Sequence, residues 1–306
     1  MIPRPHMLVL AAALSLAASA AATAQDNADD KIKAMATFSI LGDLVANVGG
    51  DRLEVATLVG PSGDAHVYEP SPADAKRLAD AKIVFTNGLG FEGWMARLIK
   101  ASGTKAPVVV ATKGVKPRQM ERADAHDHDH ASIDPHAWQS VANAKIYVGN
   151  IRDALVKADP AGKAVYEANA AAYLAKLDAL EREVKDFVAN LPADRRRIIS
   201  THDAFGYFAE AYRLEFIAPQ GVSTEAEVSA RDVARIITQV RKQKIPAVFL
   251  ENVSDSRLVK RIAQETGAKI GGTLYSDALT DAKGDAPTYI DMVRHNIRTL
   301  GAALTS

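Results

Sequence analysis

Residues 161–190 form the longest unbroken helical stretch in the chain. Ala, Glu, Lys and Leu dominate it, and it lies between two stops, Asp159-Pro160 and Leu191-Pro192. Thirty helical residues span roughly 45 Å, which is longer than one small domain needs. The stretch is therefore expected to run along or between two bodies. On either side of it, strand-like and helix-like segments alternate. Upstream, strands are expected at 31–37, 53–59, 82–86 and 106–111. Helices are expected over 39–48, from the Ser71-Pro72 start signal, over 91–101 and over 139–158. Downstream, strands are expected at 197–201, 216–219, 247–251 and 269–274. The helices there fall over 204–212, 230–244 (capped by Ser229), 254–266 (ending at Gly267) and 288–300. Such alternation implies parallel sheets with helices on their faces. The expected fold class is α/β: two βα lobes with parallel sheets joined by one long rigid helix. The corresponding division is a leader at 1–24, an N-terminal lobe at 25–158, a connecting helix at 159–192 and a C-terminal lobe at 193–306. The polar stretch 112–132, with its His-containing segment 121–131, reads as a mobile surface loop.

Composition excludes several kinds of chemistry. There is no cysteine, so disulfides, thiolate metal sites and cysteine nucleophiles are ruled out together. Lys plus Arg and Asp plus Glu both number 37, and a chain of zero formal charge has no electrostatic claim on nucleic acid. Arg4, the apolar run Met7–Ala18 and Ala22-Thr23-Ala24 before Gln25 read as an export leader with its cleavage site. The run is too short to span a membrane. With no cysteine after it, the mature chain is expected to be periplasmic, soluble and without a lipid anchor.

Eight histidines remain to be placed. His6 lies in the leader, and His126, His128 and His130 lie in the loop. His295, among charged neighbours in the last helix, is expected at the surface. His66 and His202 each follow a strand, His136 precedes a helix, and Asp277 follows the strand 269–274. In βα folds ligands bind in the crevice at the carboxyl ends of strands. The separations are 70, 66 and 75 residues (136−66, 202−136, 277−202), so no local motif joins the four. They can meet only through the fold, across the cleft between lobes. Imidazole suits Zn, Cu, Fe and Ni, and one carboxylate offsets part of a dication's charge. Four protein ligands would close a tetrahedral zinc shell. Asp64, Asp134, Asp203 and Glu251 are the nearby carboxylates that could fix the ring tautomers. The residues alone leave open whether each histidine is a ligand or a hydrogen-bonded loop residue. The alternating His and Asp of 126–130 offer a second, weaker metal site or simply a solvated linker.

Four blocks then carry a resemblance: Gly63-Asp64-Ala65-His66-Val67-Tyr68-Glu69-Pro70, Asp134-Pro135-His136-Ala137-Trp138, Thr201-His202-Asp203-Ala204-Phe205-Gly206-Tyr207-Phe208, and Leu274-Tyr275-Ser276-Asp277-Ala278-Leu279. In order and across the whole mature chain, they resemble the zinc/manganese solute-binding proteins of ABC importers. The resemblance implies two βα lobes bridged by a rigid helix, one metal between them, and no catalysis. It places the ligands on His66, His136, His202 and Asp277. Manganese receptors of that family usually carry Glu at the third position, so His202 points to Zn2+, with Mn2+ as the alternative. Zinc members also tend to carry a His-rich loop where 126–130 falls. The expected function is a high-affinity periplasmic zinc receptor, acting as a monomer, that delivers metal to a cognate ABC permease in the inner membrane. A periplasmic metallochaperone is a further candidate partner. The alternatives are a manganese or iron receptor, and a zinc hydrolase, which would need an open coordination position and a general base.

Overall fold

A computed structural model of the chain describes residues 31–120, 133–225 and 228–305. The leader read at 1–24 and the loop histidines His126, His128 and His130 lie outside the described residues. The first half contains β1 (Ile32–Phe38), α1 (Ser39–Gly49), β2 (Leu53–Val59), α2 (Pro72–Asp80), β3 (Ile83–Thr86), α3 (Met95–Ser102), β4 (Val108–Val110), β5 (Arg118–Gln119), β6 (Ile133–Asp134) and α4 (Val141–Ala158). Then come α5 (Lys163–Asn190), β7 (Arg197–Ile199), α6 (Gly206–Tyr212), β8 (Glu215–Ile217), α7 (Ala230–Gln243), β9 (Ala247–Glu251), α8 (Ser256–Thr266), β10 (Lys269–Leu274) and α9 (Tyr289–Leu304).

Two parallel four-stranded sheets result, ordered β2-β1-β3-β4 and β10-β9-β7-β8. Central strands covered on both faces read as near-continuous apolar runs, as in the last five residues of β1 and all of β3, every one buried. Local chemistry starts the helices. Ser71 and Asp74 form a reciprocal capping box around Pro72, and Ser229 and Thr288 accept from the third helical N–H of α7 and α9. The long helix α5 has 28 residues, preceded by a tight turn at Pro160–Gly162. Its buried stripe is Tyr166, Ala170, Tyr173, Leu177, Leu180, Val184 and Val188. It packs on α1 and α4 of the first half and on α9 and α6 of the second, so one element braces both sheets. Among the described residues no helix is long and apolar enough to cross a membrane.

Three expectations need correction. The helix expected from residue 91 starts at Met95, because Glu92 is committed to a turn, where its carboxylate accepts from Asn87 N, Gly88 N and the Thr37 hydroxyl. The stretch read as loop over 112–132 includes β5, which pairs antiparallel with β6. His295 is half-buried: its Nε2 lies 3.0 Å from Thr273 O and its ring packs on Tyr275. The apolar interior is one large cluster running through α1, α4, α5 and α9. A smaller, separate cluster lies between the outer face of the second sheet and α7 and α8.

Candidate metal centre

Two of the four focal residues lie in loops at carboxyl ends of the main strands of the second sheet, and His66 lies in the loop after β2. His136 comes instead from the short β5–β6 ribbon, two residues past Asp134. The His66 loop is shaped by its own polar groups. Asp64 Oδ1 accepts the His66 N–H at 2.9 Å, and Trp94 Nε1 donates to Ala65 O at 2.8 Å. His136 is fixed by Asp134, whose Oδ1 takes the His136 backbone N–H at 2.9 Å and lies 2.8 Å from ring Nδ1. His202 is fixed by Glu251 at the end of β9. Glu251 Oε1 accepts Thr201 N and His202 N at 2.7 and 2.9 Å, while Oε2 lies 2.5 Å from His202 Nδ1. The Asp277 loop is gripped from both halves of the chain. Ser276 O accepts from Trp138 Nε1 (2.9 Å) and Gln139 Nε2 (2.7 Å), Leu279 N donates to Ser39 Oγ, and Asn252 and Asn296 hold the turn from their own half.

With both outer nitrogens so held, the inner faces converge. His66 Nε2 lies 3.2 Å from His136 Nε2 and 3.2 Å from Asp277 Oδ2. His202 Nε2 is 3.1 Å from Asp277 Oδ2, and His136 Nε2 is 3.6 Å from Asp277 Oδ1. One donor atom from each residue fits within 4.8 Å of all the others. His136, His202 and Asp277 are fully buried, and the His66 side chain is only 5% exposed. Phe91 and Trp138 wall the rings edge-on, with centroids 4.8 Å from His66 and 5.3 Å from His136. Asp277 Oδ1 is a buried carboxylate oxygen that receives no hydrogen bond among the described residues. Burial opposes charge on His136, His202 and Asp277, yet mutual attraction wins. Against burial, the charges of Asp277 and Asp134 push His136 up to about 9, and Glu251 and Asp277 push His202 well above its ordinary value. Against burial again, the two histidines hold Asp277 well below the carboxylate range. The carboxylates around the rings thus favour positive charge there, which a metal ion would supply in place of the ring protons.

The structure brings together His66, His136, His202 and Asp277. Of the four flanking carboxylates, Asp134 and Glu251 reach a ring nitrogen. Asp64 serves the His66 backbone, and its other oxygen accepts from Thr224 Oγ1 of the second half at 2.6 Å. Asp203 reaches no ring nitrogen among the described residues; burial and then the charge of Asp134 raise its pKa. Sequence reasoning missed Asn87, which stands just past the strand expected at 82–86. Its Nδ2 donates to Pro135 O at 2.9 Å and its Oδ1 accepts the Tyr147 hydroxyl, so it ties β3 to the His136 loop. The Asn-Gly pair gave a local signal, but it was one for a turn.

Known proteins share this fold. The family described as zinc-uptake complex component A, periplasmic, matches residues 35–303. The chain is 33% identical over 299 residues to the manganese-binding lipoprotein MntA of Halalkalibacterium halodurans, covering 98% of this chain and 96% of that one. It is also 33% identical over 300 residues to the iron-binding protein YfeA of Yersinia pestis, covering 97% and 95%. The periplasmic zinc binding protein TroA from Treponema pallidum has the same fold, with TM-score 0.83, 31% identity, and coverage of 90% of this chain and 99% of that one. The names also correct the expected location. MntA and relatives from Streptococcus sanguinis and Streptococcus pneumoniae are named lipoproteins, so the expectation of a chain without a lipid anchor is withdrawn, while the family description keeps a periplasmic context. The missing cysteine bears on one chemical linkage after the apolar run and does not decide where the folded protein is held.

Proposed function

The chain belongs to the zinc-uptake component A family, the metal-binding substrate receptors of ABC importers, and from that premise we propose that its cargo is zinc, held by His66, His136, His202 and Asp277. Family members are solute-binding proteins and not enzymes, they bind a divalent metal, and their partner is a membrane permease. The observation that carries the zinc reading is the spacing of the donor set. Four ligands at 2.0–2.1 Å around a tetrahedral Zn2+ stand about 3.3 Å apart; four of the separations here, counting both Asp277 oxygens, run from 3.1 to 3.6 Å, and one donor atom from each residue lies within 4.8 Å of the others. Three imidazoles and one carboxylate suit zinc better than a harder cation. The outer nitrogens of His136 and His202 face Asp134 and Glu251, leaving Nε2 of each ring free for the ion. A closed four-residue set leaves no position for an activated water, which distinguishes the reading from a zinc hydrolase.

The names of MntA and YfeA favour a second reading, a manganese or iron receptor built on the same site. In either case residues 25–158 and 193–306 act as two bodies braced by 159–192, and release needs a small relative shift rather than a wide hinge.

Calorimetry with metal-free protein and zinc is expected to show one tight equivalent. His66→Ala, His136→Ala and His202→Ala should each weaken it by more than the about 10–100-fold typical of outer-shell changes, and Asp277→Ala less. Unchanged affinity in those variants refutes the ligand assignment. Elemental analysis of protein from its native cell separates the metals: a predominance of manganese or iron removes zinc and leaves the receptor. His126, His128 and His130 should add a weaker equivalent that disappears on deleting 126–130.

A further inference from the structure

Arg118 has no part in the donor set. It stands in β5 directly across from Asp134 in β6, and its Nη1 donates to Asp134 Oδ2 at 3.0 Å. The other oxygen of Asp134 is the one that holds His136, through both the backbone N–H and ring Nδ1. A chain of three groups therefore runs from an arginine side chain that is 28% exposed, through a carboxylate side chain with no exposure at all, to a histidine at the centre.

The same ion pair lies against the other half of the protein. The Arg118 backbone N–H donates to the Tyr207 hydroxyl at 2.9 Å, and Tyr207 lies in α6, just past the His202 loop. Gly206 opens α6 and is not one of the left-handed glycines, so conformation does not explain it. Space does. A Cβ on Gly206 would sit 2.5 Å from Asp134 Oδ2 and closer still to the Arg118 guanidinium. The first turn of α6 is pressed directly onto the pair, and any larger residue would push the two apart.

We propose that Arg118 is a positioning residue for the metal site: it clamps Asp134 against the Gly206 turn, so that one ion pair fixes both the His136 ring and the approach of the His202 segment. The proposal rests on the reading of His136 and His202 as ligands. The physical reason is orientational. A carboxylate held on one oxygen by a charge-assisted bond cannot rotate, and its second oxygen then fixes the tautomer and plane of the imidazole it faces. Without Arg118 the buried Asp134 loses a donor, can turn, and no longer presents a fixed face to α6.

The test is zinc affinity by competition with a chromophoric chelator, alongside thermal melting of the metal-free proteins. Arg118→Met and Gly206→Ala, which lie on opposite halves, are each expected to lower affinity about 10–100-fold. Arg118→Lys, which keeps the charge, should retain most of it. The double variant should bind no more weakly than the worse single, because both changes break the same clamp. Wild-type affinity in Arg118→Met overturns the proposal. So do losses that multiply in the double variant, or variants that only lower the melting temperature. Should Gly206→Ala not fold, the contrast of Met with Lys at 118 decides. His136→Ala in the same titration keeps the two readings apart. If it binds like wild type, the ligand assignment fails and the proposal with it. If it loses metal while Arg118→Met does not, the proposal alone fails.

Discussion

Asp43 lies in α1, and its carboxylate accepts the backbone N–H of Tyr289 at the start of α9 (2.9 Å), Asn47 Nδ2 (3.0 Å) and the Tyr173 hydroxyl of α5 (3.4 Å). Burial outweighs these donors and pushes it from the usual 3.8 up to about 6, with Asp291 adding to the rise. The folded state therefore binds this proton more tightly than the unfolded chain does. The stabilisation is complete below the unfolded value and is lost as pH rises through about 6. Two pKa units correspond to about 3 kcal/mol. Asp43→Asn keeps an acceptor for Tyr289 but does not titrate. Wild type is expected to gain stability on the variant between pH 7.5 and 4.5, and urea unfolding of both at the two pH values checks this. Parallel profiles would contradict it. The four converging residues were readable in the sequence because each stands in a strand-end or helix-start block, and a chain without cysteine has few other strong donors. Arg118 and Gly206 were not readable. The first lies in a polar stretch with no periodicity, and the second is explained by residues 72 and 88 positions away (206−134, 206−118).

The long helix was legible to within two residues because its apolar positions recur at helical spacing between two proline stops. Its energetics divide by face. Leu177 and Leu180 are fully buried, and replacing either by Ala should cost about 2–5 kcal/mol, the usual range for emptying a core site. On the open side, Glu183 meets Arg294 of α9 in a paired contact of 2.7 and 2.8 Å, with both side chains about 40% exposed. Solvent screens such a pair, and Glu183→Gln should cost less than about 1 kcal/mol. Denaturant unfolding of the three variants tests the contrast, and a Glu183→Gln loss equal to the leucine losses would reverse it. The elements that sequence reasoning misplaced share a cause. The start of α3 and the β5–β6 ribbon are set by single polar side chains, Glu92 and the Arg118–Asp134 pair, which leave no hydrophobic pattern to read.

Across the whole molecule the two sheets are not equally tied in. The large core runs from β1 through α5 to α9, whereas α7 and α8 rest on a small cluster of their own. Amides of α7 and α8 are expected to exchange through openings of lower free energy than those of α1, α4 and α5. Native-state hydrogen exchange measures this, and uniform protection would contradict it. The general architecture was legible because βα alternation on both sides of one long helix admits few arrangements. The division of the interior into unequal cores was not, since it depends on which faces meet. The converging residues also lie far apart along the chain, from His66 to Asp277, 211 positions later (277−66). Asn296 and Tyr289, which steady the last loop and its neighbours, come later still. A product cut before Asp277 therefore keeps all three histidines and still lacks one of the four converging donors.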